Sequence, residues 1–171
     1  MTDSNDPSPP PTPNPRPWRL PILLATWFGS GWLPVAPGTW GSLAALPCAW
    51  IIVQAGGVPA LAAATVLVTA VGWWAAEAYV RELGGDDPGP VVIDEVAGQW
   101  LTLLVVAAPD PLRYGIGFAL FRLADIVKPW PASWADKRLH GGLGIMLDDV
   151  FAGVYAAAAL WAIDRYLLGG L

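Results

Sequence analysis

Two pairs of adjacent acids stand out along the chain, Asp94-Glu95 in VVIDEVAGQW and Asp148-Asp149 in GIMLDDVFAGVY. Neighbouring carboxylates repel one another, and hard oxygen donors set side by side suit a cation such as Mg²⁺. Either pair alone also fits a plainer role, because acids in the first turn of a helix complement its dipole and cap free N–H groups. Two such pairs in a chain with only 13% charged residues point instead to a shared site. A third group, FRLADIVKPWP, sets Arg122, Asp125 and Lys128 at i, i+3 and i+6 along the end of a helix that Pro129 stops. Intrahelical ion pairs would explain that stripe, yet Arg by its fork of donors and Lys as a point charge are both suited to phosphate. His140, the single histidine, precedes the second acid pair and has an ordinary pKa near neutrality, which makes it a candidate for proton transfer to a leaving group. Finally, Pro37-Gly38-Thr39-Trp40-Gly41-Ser42 leads into an apolar helix, placing backbone N–H groups and two hydroxyls where an anion can bind.

Several phosphate chemistries have no motif here. Six residues after Cys48 stands Gln54 rather than Arg, so the cysteine phosphatase loop is missing. No Asp-x-Asp occurs, and one histidine is too few for a histidine-based lipid phosphatase. Metal-assisted attack by water on phosphorus is the simplest mechanism left. Cys48 itself lies in an apolar run and reads as a small buried hydrophobe.

The elements that must carry these groups are apolar. Of 171 residues 55% are hydrophobic, 11 are Trp, and the charged share is half the usual ~25%. A net charge of −5 excludes the basic face that nucleic-acid binding needs. Residues 1–17 are polar and proline-rich and read as a disordered leader rather than a secretory signal, leaving 18–171 as a single helical domain. Five apolar stretches follow, Trp40–Ala55, Pro59–Val80, Ile93–Ala107, Leu112–Val127 and Val150–Leu168, the first interrupted by Pro47. Only the second and fifth approach the ~20 residues that span a bilayer. Short helices are expected over Arg19–Phe28, at the membrane interface, and over Ala132–Leu139. The expected fold is therefore all-α, a bundle of about five main apolar helices plus short ones, embedded in or seated on a membrane.

If the five stretches zigzag, Glu77, Arg81, Asp94, Glu95, Arg122, Asp125, Lys128, Asp148 and Asp149 gather at one end, the A end, with both acid pairs opening helices. Asp110, Arg113, Asp164 and Arg165 fall at the other, the B end. Ala97-Gly98 and Ala152-Gly153, one turn after their acids, let two helix backbones approach and bring the acids together. The A end also carries most Arg and Lys, which by the positive-inside rule faces it to the cytoplasm.

Taken together, FGSGWLPVAPGTWGSLAALP, VVIDEVAGQW, FRLADIVKPWP and DKRLHGGLGIMLDDVFAGVY resemble phosphatidylglycerophosphatase A, in the same order and at similar intervals. The resemblance covers roughly Ala25 to Tyr155. It implies an all-helical, Mg²⁺-dependent enzyme of the bacterial inner membrane that hydrolyses phosphatidylglycerophosphate to phosphatidylglycerol. It further implies Asp94, Glu95, Asp148 and Asp149 as metal ligands and Asp125 as a site acid; Asp125, His140 and Asp149 are the residues expected to act in catalysis. Thr39, Ser42, Arg122 and Lys128 fall within the motifs as phosphate-holding groups. Two rival readings are a transporter or channel component, which predicts acids at mid-helix and related halves, and a phosphatase of another lipid phosphate.

Overall fold

The computed structural model describes residues 19–85 and 87–169, so the expected leader lies outside the described residues. Among those residues the fold is all-helical: α1 (Leu20–Ala25), a 3₁₀ turn (Ser30–Trp32), α2 (Pro37–Leu83), α3 (Ile93–Leu103), α4 (Pro111–Val127), α5 (Ala132–Arg138) and α6 (Gly141–Leu167).

Pro37 opens α2, where its missing N–H costs nothing and its fixed φ is already helical. Drawn straight, 47 residues would reach about 70 Å, but Gly57 has φ 69°, ψ −172° and breaks the run into arms 37–56 and 58–83. That positive φ is one that a residue with a side chain adopts only under strain. The arms fold back on each other, because Gly38 at the start of the first arm lies against Glu95 while Gly72, midway along the second, lies against Ile93. The first two apolar stretches are thus one hairpin. Pro47, expected to interrupt the first arm, stays inside it, and the break falls ten residues later.

The third stretch was expected to run over Ile93–Ala107. At 11 residues α3 is about 16 Å long and is the buried centre of the bundle, packed between α2 and α6. Ala97 and Gly98 make this possible. A Cβ at Gly98 would stand 2.6 Å from the Asp149 carbonyl oxygen, and one at Gly153 2.6 Å from the Gly98 carbonyl oxygen, so the α3 and α6 backbones touch. Trp27, in the segment expected at the membrane interface, packs edge-on against Trp100 with ring centroids 5.7 Å apart.

α6 begins nine residues before the expected Val150, so Asp148 and Asp149 lie two turns inside it rather than at its start. First-turn capping therefore does not account for this pair, whereas Asp94 and Glu95 do sit in the first turn of α3. The charges divide between two ends as expected. Arg19–Glu82, Arg81–Glu77, Arg122–Asp125 and Lys128–Asp148 pair at one end. At the other, Asp110 accepts the Arg113 N–H as the α4 cap, and Arg113 Nε meets Asp164 at 2.6 Å.

Candidate active site

Four helices and one loop converge on a cleft of about 210 Å³ at the A end. The start of α2 contributes Ala36, Pro37 and Gly38, and the loop before α3 contributes Asp87, Gly89 and Val91. α3 supplies Asp94 and Glu95, the end of α4 supplies Arg122, Asp125 and Lys128, and α6 supplies Asp148 and Asp149. Six carboxylates therefore face two cations across a small volume.

One carboxylate oxygen from each of Asp94, Glu95 and Asp149 lies within 4.8 Å of the others. Asp94 Oδ1, Glu95 Oε2 and Asp149 Oδ2 are buried and have no hydrogen-bond partner among the described residues. Burying an ionised oxygen without a partner is costly. The protein alone answers by neutralising the acids: burial, then the neighbouring carboxylates, raises Asp94 well above the ordinary range and Glu95 to about 8. A divalent cation answers the same cost by keeping them ionised, and an all-oxygen donor set is what Mg²⁺ prefers. The three residues fit such an ion.

The fourth expected ligand is placed differently. Asp148 Oδ2 accepts from Lys128 Nζ, and its Oδ1 accepts the Asp149 backbone N–H at 3.0 Å. Lys128 also reaches Asp136 on α5 at 2.7 Å. Burial opposes the charge on Lys128, but hydrogen bonds to the two aspartates outweigh it and hold the ammonium above its usual range. Asp148 thus positions a lysine beside the acid triad.

Arg122 Nη1 sits 2.6 Å from Asp125 Oδ2 and 3.9 Å from Glu95 Oε1. The close contact with Asp125 is out of line for a hydrogen bond, and both Nη1 and Nε are buried without an acceptor among the described residues. The cleft therefore holds buried acceptors lacking a cation and, beside the Arg122–Asp125 ion pair, an Arg122 Nε lacking an acceptor. Gly38 lies at the junction: a Cβ there would come 1.9 Å from Glu95 Oε1 and 3.1 Å from Arg122 Nη1, so a side chain would fill the site itself.

Thr39 and Ser42 do not line the cleft. Ser42 is fully buried and its Oγ donates to the Gly38 carbonyl at 2.8 Å, a bond internal to α2. What α2 offers there is backbone, at the first turn around Gly38. His140, the residue before α6, is exposed and lines a smaller neighbouring depression with Asp136. Asp87 and Asp148 line both it and the cleft, so they form the wall between the two. Asp87 and Asp136 escaped the sequence reading. Asp87 sits in the Gly/Pro loop GDDPGP, which has no helical phase to place it, though it stands just seven residues before the first acid pair.

The family model described as Phosphatidylglycerophosphatase A matches residues 23–164, a span that contains every residue of the cleft. The chain belongs to that family. The family places it among the phosphatases, and so among the hydrolases. It is 39% identical over 151 residues to the phosphatidylglycerophosphatase A of Escherichia coli, covering 88% of this chain and 86% of the relative. It is 38% identical over 146 residues to that of Haemophilus influenzae, covering 85% and 90%. A Bacteroides thetaiotaomicron protein that carries the provisional name phosphatidylinositol-3-phosphatase is 41% identical over 161 residues, covering 90% of this chain and 99% of the relative. No solved structure matches the chain.

Proposed function

We propose that the chain hydrolyses phosphatidylglycerophosphate to phosphatidylglycerol and inorganic phosphate, using Mg²⁺ held by Asp94, Glu95 and Asp149. The observation that carries this reading is the meeting, in one cleft, of three buried carboxylate oxygens without a partner and an Arg122 guanidinium whose Nε has no acceptor. Without a cation, six carboxylates would repel a phosphate; with one, the same cleft accepts it. When bound, the ion supplies neutralisation of the phosphoryl oxygens and activation of a water. The protein's own groups do the positioning. Arg122 offers Nε and Nη1 to phosphoryl oxygens, with Asp125 fixing the guanidinium from one side. Lys128, steadied by Asp148 and Asp136, brings a second positive charge to the same cleft. The first turn of α2 presents backbone N–H at Gly38, where no side chain stands in the way. Hydrolysis breaks the phosphorus–oxygen ester bond: water gives its hydroxyl to phosphorus, and the leaving glycerol oxygen takes a proton. His140, in the neighbouring depression beyond Asp148, is the imidazole nearest to serve that proton transfer.

Substrate choice is open to direct test, since the Bacteroides relative is named for a different lipid. Purified protein with Mg²⁺ should release phosphate from phosphatidylglycerophosphate faster than from phosphatidylinositol-3-phosphate, phosphatidic acid or a soluble phosphomonoester. Equal or faster release from any of those would reassign the substrate.

The same reading seats the protein in the bacterial cytoplasmic membrane with the cleft facing the cytoplasm. In support, α2 and α6 are long and apolar enough to cross a bilayer, and only 22% of the most apolar window of α2 is buried in the bundle. A soluble core helix would be mostly covered. Ile51, Val66, Leu67 and Ile126 are each about two-thirds exposed, an apolar surface that lipid accommodates and water does not. In a Cys48→Ala background, a Cys at Lys137 is expected to resist an impermeant thiol reagent in intact cells, while one at Leu112 reacts. The reverse labelling pattern would overturn the orientation.

A further inference from the structure

The end of α4 faces two chemically opposite spaces. Lys128 turns into the acidic cleft, while Val127 and Pro129 on either side of it bound an apolar groove between α4 and α6. Leu120, Ala124 and Val127 form one wall of that groove, and Tyr155 and Ala159 the other. Its volume is about 360 Å³, within the ~300–1,000 Å³ typical of small-molecule sites. The small residues Ala124, Ala156 and Ala159 make it a channel rather than a ridge. At its upper end the Tyr155 hydroxyl donates to the Trp130 carbonyl at 2.7 Å, tying the turn after Lys128 to α6. From Val127 to Leu120 the groove descends about 10 Å along α4, away from the charged end.

We infer that this groove holds one acyl chain of the lipid phosphate while its phosphate lies in the cleft, the glycerol passing over the Lys128 turn. The inference rests on the lipid-phosphatase reading of the cleft. Its own ground is the juxtaposition: one residue separates a site made for an anion from a groove with no charged lining, and a lipid phosphate ester joins those two chemistries in one molecule. A comparison within the protein sharpens this. A second apolar groove of about 440 Å³, lined by Leu46, Trp50, Tyr114 and Gly115 among others, lies at the opposite end of α4, beside no acidic cleft. If any apolar concavity facing lipid sufficed, the larger distal one would matter equally. Only the near groove adjoins the cleft, so only the near groove should matter.

The test compares Ala159→Phe, which fills the near groove, with Gly115→Leu, which fills the far one where an added Cβ meets nothing within 4 Å. Leu123→Ala, at a residue 60% exposed on the near groove's wall, removes contact without risk of overpacking. Each protein is assayed with Mg²⁺ on dioleoyl phosphatidylglycerophosphate in mixed micelles and on the deacylated, water-soluble headgroup phosphate. Ala159→Phe is expected to raise KM for the diacyl substrate about tenfold with kcat nearly unchanged, the signature of lost uniform binding. Leu123→Ala is expected to raise it about threefold by the same logic. Neither should alter kcat/KM on the deacylated compound, and Gly115→Leu should alter nothing. Equal losses on both substrates, no change in either near-groove variant, or the same effect from Gly115→Leu would each overturn the acyl-chain site. A poorly folding Ala159→Phe leaves the decision to Leu123→Ala. Failure of the unmodified protein to release phosphate from either compound would instead overturn the phosphatase reading on which the inference rests.

Discussion

Replacing Asp149 by Asn is expected to lower phosphate release by orders of magnitude while leaving the melting temperature unchanged or higher. Asp149 is 2% exposed, and its Oδ2 has no partner among the described residues. The Asn amide keeps the shape but removes one of three charged donors, so cation positioning and charge neutralisation are lost together. Without a cation, the same change relieves repulsion among Asp94, Glu95 and Asp149, and its new N–H₂ can donate to either neighbour. A purely structural aspartate predicts the opposite order, early melting with turnover kept. Turnover and melting temperature measured on one preparation separate the two, and a variant that melts early yet works at a normal rate would contradict the assignment.

Gly153→Ala should behave differently, losing stability and activity together. Its Cβ would stand 2.6 Å from the Gly98 carbonyl oxygen and 3.0 Å from the Gly98 Cα. Both are backbone atoms, so relief requires α3 and α6 to separate. Overpacking of this kind costs about 1–3 kcal/mol, and the separation also parts Asp94 and Glu95 from Asp149. Gly115→Ala is the control: it sits in α4 with open space around it and should be neutral or slightly stabilising. Thermal denaturation of both variants, with activity measured beside it, checks the contrast. Normal activity and stability in Gly153→Ala would mean the two helices are not held in contact by these glycines.

The convergence of the acids was legible because helical spacing carries it. A small residue one turn after each acid pair shares that acid's face, and the tight α3–α6 contact follows. The placement of Asp148 is not legible in the same way. Successive residues on a helix point about 100° apart, so Asp149 turns toward α3 while Asp148 turns toward Lys128, and an adjacent pair in sequence makes two separate sets of contacts. The start of α6 was missed because His140-Gly141-Gly142 reads as a loop. Those glycines serve packing instead: a Cβ at Gly142 would lie 2.5 Å from the Glu77 backbone nitrogen and the Trp73 carbonyl oxygen. Tertiary contact overrides the weak helix propensity there. Ser42 illustrates the reverse error, since a hydroxyl near a helix start looks available for an anion but donates to the Gly38 carbonyl one turn back. Pro47 was read as a breaker, yet glycine with a positive φ at 57 is what turns the chain.

The central claim is that a cation held by Asp94, Glu95 and Asp149 drives the hydrolysis, and a titration tests it most directly. Phosphate release from phosphatidylglycerophosphate is followed in protein stripped exhaustively with EDTA, then with Mg²⁺ added back in steps, for the unmodified chain and for Asp149→Asn. The unmodified protein should show no release after chelation and saturable recovery with Mg²⁺, while Asp149→Asn should recover only weakly at any concentration. Full release from the stripped, unmodified protein would contradict the account.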